Sequence, residues 1–168
     1  MISNSKHLLV AAPIKNMLNT KVREHGVTHG LSEAGYDIRI HQEIRFLVDD
    51  GGRRTVTIVD GLLSTVNPGT FTLASAIEEF QMPNHLVGIV HDKSTWARQG
   101  LGVFNTVIEP GWNGFLTLEL VYHGNEDLII PAGSGIAQVI FHDVSDPVQY
   151  NGRYMNQPNR PVSAIKAE

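Results

Sequence analysis

Four residues with cationic or hydroxyl side chains lie within one short stretch of the sequence: Lys93, Ser94, Thr95 and Arg98. Hydroxyls can donate hydrogen bonds to phosphate oxygens, lysine supplies a compact positive charge, and arginine can bind a phosphate through two parallel bonds. A short helix over residues 94–99 would point Ser94 and Arg98 the same way. The cluster therefore suits a phosphorylated ligand. It is equally typical of a solvated helix start, because serine is a favoured N-cap and arginine is usually exposed.

A single carboxylate, Glu119, interrupts an otherwise apolar run over residues 115–120. If the run is a strand, Glu119 shares one face with Phe115 and Thr117, opposite three leucines. The simplest interpretation is that this face is exposed to solvent. If it lines a cleft, burial would raise the pKa of Glu119, and the carboxylate could act as a base or proton shuttle. Glu109, just before a Pro-Gly turn, is a second acid, and its simplest interpretation is a turn residue.

The composition favours a small anionic ligand over nucleic acid or a membrane. The 168 residues include 13 Lys and Arg against 17 Asp and Glu, a formal net charge of −4, whereas nucleic-acid binders normally have a basic surface. The absence of cysteine excludes thiolate metal sites and fits a cytoplasmic protein. It also excludes the zinc deaminases that need a P-C-x-x-C motif. No apolar run approaches the roughly 20 residues of a transmembrane helix.

Short apolar segments separated by Gly, Pro and Asn predict an all-β domain. A helix is expected over residues 8–18 with Pro13 near its start, a loop over residues 20–33, and one helical turn over residues 76–81. The predicted strands cover residues 36–40, 43–48, 55–59, 70–74, 86–90, 102–107, 114–122, 127–130 and 135–142.

The expected domain covers residues 1–142, and residues 143–168 form a tail. The tail is rich in Pro, Asn and Gln, so we expect it to be extended or mobile unless something docks it. Its polar residues fit either a disordered end or a lid that closes over an anionic ligand. The tail residues that could act in such a lid are Tyr150, Arg153, Tyr154 and Gln157.

Several motifs, in order along residues 34–157, resemble those of dCTP deaminases in the dUTPase superfamily. The stretch K-S-T-W-A-R-Q-G-L from Lys93 is similar to their R-S-S-L-A-R-x-G-L motif, and I-E-P-G-W-N-G from Ile108 is similar to I-D-P-G-W-x-G. The run L-T-L-E-L resembles the T-L-E strand that carries the family's catalytic glutamate, here Glu119. Further matches are Y-D-I-R from Tyr36, P-A-G-S-G-I-A-Q from Pro131 and Y-x-x-R-Y-x-x-Q from Tyr150.

The resemblance implies a distorted jelly-roll or β-clip fold with short helices, in a homotrimer with active sites at subunit interfaces and the tail closing over the nucleotide. It implies hydrolytic deamination of dCTP to dUTP and ammonia without zinc, with Mg²⁺ accompanying only the triphosphate and no metal ligand from protein side chains. By motif, Glu119 is the base that activates water, and Ser94 and Arg98 orient the water or the base. The implied substrate contacts are Lys93, Thr95, Asn105, Thr106, Val107, Glu109, Tyr150, Arg153, Tyr154 and Gln157.

Departures from the family pattern leave alternatives open. The connection over residues 105–109 is shorter than the family's T-A-H-R-I-D segment, which contacts the base, so a modified pyrimidine nucleotide is one alternative substrate. Glu109 replaces the Asp that activates water in dUTPases and bifunctional deaminases, so a dUTP pyrophosphatase or a bifunctional enzyme giving dUMP is another alternative. Lys93 and Arg153 are exchanged relative to the usual Arg and Lys, which are not equivalent at phosphates. A non-catalytic nucleotide-binding regulator is the alternative from a different class.

Overall fold

Turn residues divide the chain into short extended segments. The computed structural model, which describes residues 1–166, contains fourteen strands and two short helices in that range. Neither helix is long or apolar enough to cross a membrane. The helices are α1 (Ser5–Ala11) and α2 (Ser94–Ala97). The strands are β1 (Ile2–Ser3), β2 (Lys21–Glu24), β3 (Val27–Leu31), β4 (Tyr36–Arg39), β5 (Glu43–Val48), β6 (Arg54–Asp60), β7 (Leu63–Pro68), β8 (Phe71–Gln81), β9 (Leu86–Asp92), β10 (Leu101–Val103), β11 (Val107–Ile108), β12 (Asn113–Tyr122), β13 (Leu128–Ile130) and β14 (Gly135–Asp143).

Three antiparallel sheets surround the hydrophobic core. The first has seven strands in the order β11-β9-β14-β4-β3-β2, with β1 also paired to β14. The second has three strands, β10-β12-β8, and the third has four, β13-β5-β6-β7. Large apolar side chains from all three sheets are fully buried between them, including Tyr36, Phe46, Phe80, Leu118 and Phe141.

The chain crosses from the three-stranded sheet to the seven-stranded sheet between β10 and β11. β10 pairs with β12 through Val103 and Leu120, whereas β11 pairs with β9 through Val107 and Ile89. The prediction of one continuous strand over residues 102–107 is therefore wrong. The two sheets diverge at this crossing, and side chains from both of them line a cavity there.

Two segments predicted as non-strand are strands in the structure. Residues 20–33 form the β2–β3 hairpin rather than a loop, and residues 76–81 continue β8 rather than forming a helical turn. The second segment contains helix-forming residue types, but tertiary contacts override that preference. Phe80 is fully buried in the core, and the buried carboxylate of Glu78 pairs with the partly exposed guanidinium of Arg39.

The N-terminal helix begins and ends earlier than predicted. It covers Ser5–Ala11 rather than residues 8–18. Ala12 adopts a left-handed conformation with a φ of 47°, and its N–H donates to the carbonyl of Leu8, which ends the helix. Pro13 therefore follows the helix rather than starting it. A proline has no main-chain N–H, so Pro13 could not donate the hydrogen bond that would continue the helix.

The tail packs against the domain although it contains no helix or strand after β14 within the described residues. The N–H of Tyr150 donates to the carbonyl of Pro110 at 2.8 Å. The N–H of Phe115, in β12, donates to the carbonyl of Gln157 at 3.0 Å. The sequence predicts a tail that is extended or mobile unless something docks it, and these bonds dock it on the chain's own domain.

Candidate functional site

A cavity of about 600 Å³ lies between the three-stranded and seven-stranded sheets and beside the tail. Its volume is in the range of small-molecule sites. Its walls come from the start of β8, from β9, from the β10–β11 crossing, from β12 and from the tail. The predicted site residues that line it are Asn105, Thr106, Val107, Glu109, Glu119, Tyr150, Tyr154 and Gln157.

Glu119 lies within β12 and lines this cavity. Thr117 shares its side of the strand, while Leu118 and Leu120 are fully buried in the core, as strand alternation predicts. Burial raises the pKa of the Glu119 carboxyl above its ordinary value, because a partly enclosed carboxylate loses hydration. A carboxylate with a raised pKa is a stronger base, so Glu119 has the character that proton transfer requires.

The strand departs from regular alternation just before this point. The pairing of β12 with β8 shifts between Phe115 and Thr117, and such irregularities twist a strand locally. Leu116 therefore lines the cavity together with Thr117, whereas Phe115, which was expected to share the face of Glu119, is not among the lining residues.

Asn105 connects the β10–β11 crossing to the strand that carries Glu119. Its side-chain Nδ2 donates to the carbonyl of Thr117 at 2.6 Å, and its Oδ1 accepts from the N–H of Glu119 at 2.9 Å. The carbonyl of the next residue, Thr106, accepts from the N–H of Val90 in β9 at 3.1 Å. Two adjacent residues thus tie together the two sheets on either side of the cavity.

Thr117 connects the same strand to the tail. Its hydroxyl donates to Oε1 of Gln157 at 2.8 Å and accepts from the N–H of Val162 at 3.0 Å. Nearby, the indole N–H of Trp112 donates to the carbonyl of Tyr154 at 2.7 Å. The sequence does not predict Thr117, Trp112 or Val162 as site residues. Only Thr117 carried a usable signal, since it shares the predicted face of Glu119.

The predicted phosphate-binding cluster lies outside this cavity. Ser94, Thr95 and Arg98 are exposed on or just after α2. Lys93, by contrast, is largely buried, and its ammonium group pairs with the carboxylate of Asp37 in β4. None of the four is among the residues that line the cavity.

The cluster and Glu119 lie at different ends of the β10–β12 pair. The carbonyl of Gly100 accepts from the N–H of His123 at 2.9 Å, which places Arg98 near the end of β12. At about 3.3 Å per residue, His123 is roughly 13 Å along the strand from Glu119. Within one chain, Ser94 and Arg98 therefore do not join Glu119 in a single site.

Two further predicted side chains are exposed. The guanidinium of Arg153 donates to the carbonyl of Ile165 at 2.9 Å, within the tail, and does not line the cavity. Glu109 does line the cavity, and its main-chain carbonyl accepts from the N–H of Trp112 at 3.1 Å in the turn before β12. Two carboxylates, those of Glu109 and Glu119, are therefore present in one cavity.

Comparisons with known proteins agree with this architecture. A family model described as "dCTP deaminase-like" matches residues 8–144. A dCTP deaminase of Campylobacter fetus subsp. fetus (strain 82-40) is 36% identical over 149 residues, which are 78% of this chain and 78% of the relative. A dCTP deaminase of Methylacidiphilum infernorum (isolate V4) is 31% identical over 175 residues, covering 95% of this chain and 93% of the relative.

A solved structure shows the same fold. A variant dUTPase from phage phi11 of S. aureus, described with a structural Mg(II) ion, matches with a TM-score of 0.50 and 14% identity. The match covers 83% of this chain and 92% of that chain. The predicted all-β, distorted jelly-roll fold of the dUTPase type is therefore confirmed.

Proposed function

This chain belongs to the dCTP deaminase-like family, and from that membership we propose that it hydrolyses dCTP to dUTP and ammonia. One observation carries the proposal. Glu119, the counterpart by motif of the family's catalytic glutamate, lines a nucleotide-sized cavity in which burial raises its pKa.

Glu119 acts as the general base and then as the acid. Its carboxylate takes a proton from a water molecule while the water oxygen attacks C4 of the cytosine ring. The electron pair of the C4=N3 bond moves to N3, which receives that proton, and C4 becomes tetrahedral. The carboxylate then carries the proton of the new hydroxyl to the amino group on C4, which leaves with it as ammonia, and the C4–O bond becomes the carbonyl of uracil while N3 keeps its proton. A raised pKa suits this cycle, because the same group must accept and return a proton near neutral pH.

A neighbouring subunit of a homotrimer completes the site. Ser94 and Arg98 are exposed and lie outside the cavity of their own chain. In the trimer they enter the cavity of an adjacent subunit, where the hydroxyl and the guanidinium orient the attacking water next to Glu119. Holding the water and the base in this geometry lowers the entropic part of the barrier.

A hydroxyl from α2 and a cation from the tail hold the triphosphate. The exposed guanidinium of Arg153 can bind a phosphate through two bonds, and Thr95 adds a hydroxyl donor. Lys93 holds the start of α2 through its pairing with Asp37. Mg²⁺ would accompany the triphosphate, whose oxygens are the donors it prefers, and would neutralise part of its charge. Within residues 1–166, no group of three His, Asp or Glu side chains could hold a metal ion.

The test is one incubation with dCTP, dUTP or dTTP and Mg²⁺, followed by separation of the products. We expect dUTP and ammonia from dCTP, loss of both products in Glu119→Gln, and normal activity in Glu126→Gln. Glu126 is a matched control because it is exposed and does not line the cavity. Absence of a deaminated product from the wild-type protein, or full activity in Glu119→Gln, would contradict the proposal. Tight nucleotide binding without any product would support a regulatory protein instead.

A second candidate function is pyrophosphate release from dUTP, alone or after deamination. The observation that favours it is the presence of Glu109 in the same cavity as Glu119. There a second carboxylate can activate a water molecule for attack on the α-phosphate, which gives dUMP and pyrophosphate. We expect Glu109→Gln to abolish pyrophosphate release while deamination continues. No pyrophosphate from dUTP with the wild-type protein would exclude this activity.

A further inference from the structure

We propose that Asn105 is a positioning residue that fixes the orientation of Glu119, rather than a residue that binds the substrate. This role rests on the proposed function, in which Glu119 is the catalytic base. It is separate from the contacts to the nucleotide, because the side-chain amide of Asn105 is already bonded to the main chain of β12.

The main chain of β10 leaves β12 as it reaches Glu119. The last paired residues are Val103 and Leu120, and the N–H of Phe104 still donates to the carbonyl of Glu119 at 2.8 Å. In a regular antiparallel pair, the carbonyl of Phe104 would accept from the N–H of Glu119 in return. Because the chain turns away towards β9, the N–H of Glu119 and the carbonyl of Thr117 need other partners.

The carboxamide of Asn105 replaces the missing peptide group. Its Oδ1 takes the N–H of Glu119 at 2.9 Å, and its Nδ2 donates to the carbonyl of Thr117 at 2.6 Å. A side-chain amide offers the same acceptor and donor as a peptide group, so one side chain completes both bonds. The sheets can therefore diverge to form the cavity while the edge of β12 beside Glu119 stays hydrogen-bonded.

The residue after Asn105 fixes the opposite side of the same segment. Its carbonyl accepts from the N–H of Val90 in β9 at 3.1 Å, so residues 105 and 106 set the separation of β12 and β9. Loss of the amide would leave the N–H of Glu119 and the carbonyl of Thr117 without these partners, so this edge of β12 could shift. A displacement of about 1 Å at a catalytic group can cost on the order of 100-fold in rate.

The kinetic test separates positioning from binding. We expect Asn105→Ala to lower kcat about 100-fold and to change KM less than about 3-fold. In a Glu119→Gln background, which does not turn over, adding Asn105→Ala should change the Kd for dCTP less than about 3-fold. Asn67→Ala, exposed in the edge strand β7, is the matched control and should change neither value. A Kd for dCTP at least about 10-fold weaker in the double variant would overturn the inference, because it would reveal a substrate contact.

Amide hydrogen exchange tests the same inference without any substrate. Asn105→Ala should accelerate exchange at the N–H of Glu119, whereas the N–H of Leu118, on the β8 side of β12, should keep its protection. Unchanged exchange at Glu119 overturns the positioning role. If the wild-type protein fails to deaminate dCTP but Glu119 loses protection in the variant, the proposed function fails, whereas the assignment of Asn105 as the hydrogen-bond partner that holds the main chain of Glu119 stands.

Asn105→Gln serves if the alanine variant does not fold. It keeps an amide but adds one methylene, so it cannot span the same two main-chain groups at the same distances. The expected result is again a lowered kcat, an unchanged Kd for dCTP in the Glu119→Gln background, and faster exchange at Glu119. Wild-type kcat together with wild-type exchange in this variant would overturn the inference.

Discussion

Replacement of Thr117 by valine should loosen the tail while leaving the shape of β12 unchanged. The Thr117 hydroxyl makes two bonds to the tail, donating to Gln157 and accepting from the N–H of Val162. Valine has nearly the same volume and branching but can form neither bond. The variant therefore removes the two bonds without changing the backbone preference of the strand.

The expected magnitude follows from those two bonds. Each hydrogen bond contributes a net of about 0.5–1.5 kcal/mol, so the pair contributes about 1–3 kcal/mol. Gln157 and Val162 are only half-buried, and their freed polar groups can bind water once the tail moves. We therefore expect a loss at the lower end of this range, about 1 kcal/mol. This loss corresponds to roughly a 5-fold increase in the population of molecules in which this part of the tail has moved away from β12.

Amide exchange at Val162 measures that shift, because its N–H is the donor to Thr117. Thr117→Val should increase exchange at Val162 about 5-fold. Thr117→Ser, which keeps the hydroxyl, should exchange close to the wild-type rate, and Thr65→Val, exposed on β7, serves as a remote control. Unchanged exchange in Thr117→Val, or equal acceleration in Thr117→Ser, would refute the assignment of Thr117 as an anchor of the tail.

Other changes should affect stability in predictable directions. Burial raises the pKa of Glu119 in the folded protein above its ordinary value. At pH values above that ordinary pKa, ionisation of Glu119 therefore destabilises the folded state. Glu119→Gln, which cannot ionise, should raise Tm at neutral pH and have little effect on Tm below about pH 4. Glu78→Ala should lower the free energy of unfolding by about 3 kcal/mol, because it leaves Arg39 without its largely buried partner. Glu79→Ala, which removes a more exposed ion pair with Lys15, should lower it by less than about 1 kcal/mol. Urea unfolding of the two variants measures both values. Gly114→Ala should release the tail, because Gly114 has a φ of 127° and an added Cβ would lie 2.5 Å from the main-chain nitrogen of Gln157. Amide exchange in the tail should then be faster than in the wild-type protein.

Local patterns in the sequence predict the strands that have one buried face and clear turn boundaries. Residues 43–48 alternate loosely and precede an Asp-Asp-Gly-Gly turn, and β5 has those bounds. β7 (Leu63–Pro68) was not predicted, because all of its residues are exposed at a sheet edge and no buried face imposes alternation. The prediction of a helical turn over residues 76–81 is wrong because the burial of Glu78 against Arg39 depends on β4, a strand distant in sequence.

The candidate site, like the fold, could be predicted only in part from the sequence. Alternation places Glu119 opposite Leu118, and the structure confirms that arrangement. Whether that face meets solvent or a cavity depends on where β10 leaves β12, and no local pattern determines this. The role of Asn105 could not be predicted for the same reason, because its side chain replaces a main-chain partner whose absence appears only in the folded chain.

Mixed trimers test most directly the central claim that Glu119 is the base of a site completed by another subunit. Glu119→Gln and Arg98→Ala should each be inactive alone. Co-expressed in equal amounts, they should recover about a quarter of the wild-type rate of dUTP formation from dCTP, since random mixing joins an intact Glu119 to an intact Arg98 at about one interface in four. Substantial activity in Glu119→Gln alone, or no recovery in the mixed trimers, would contradict the account.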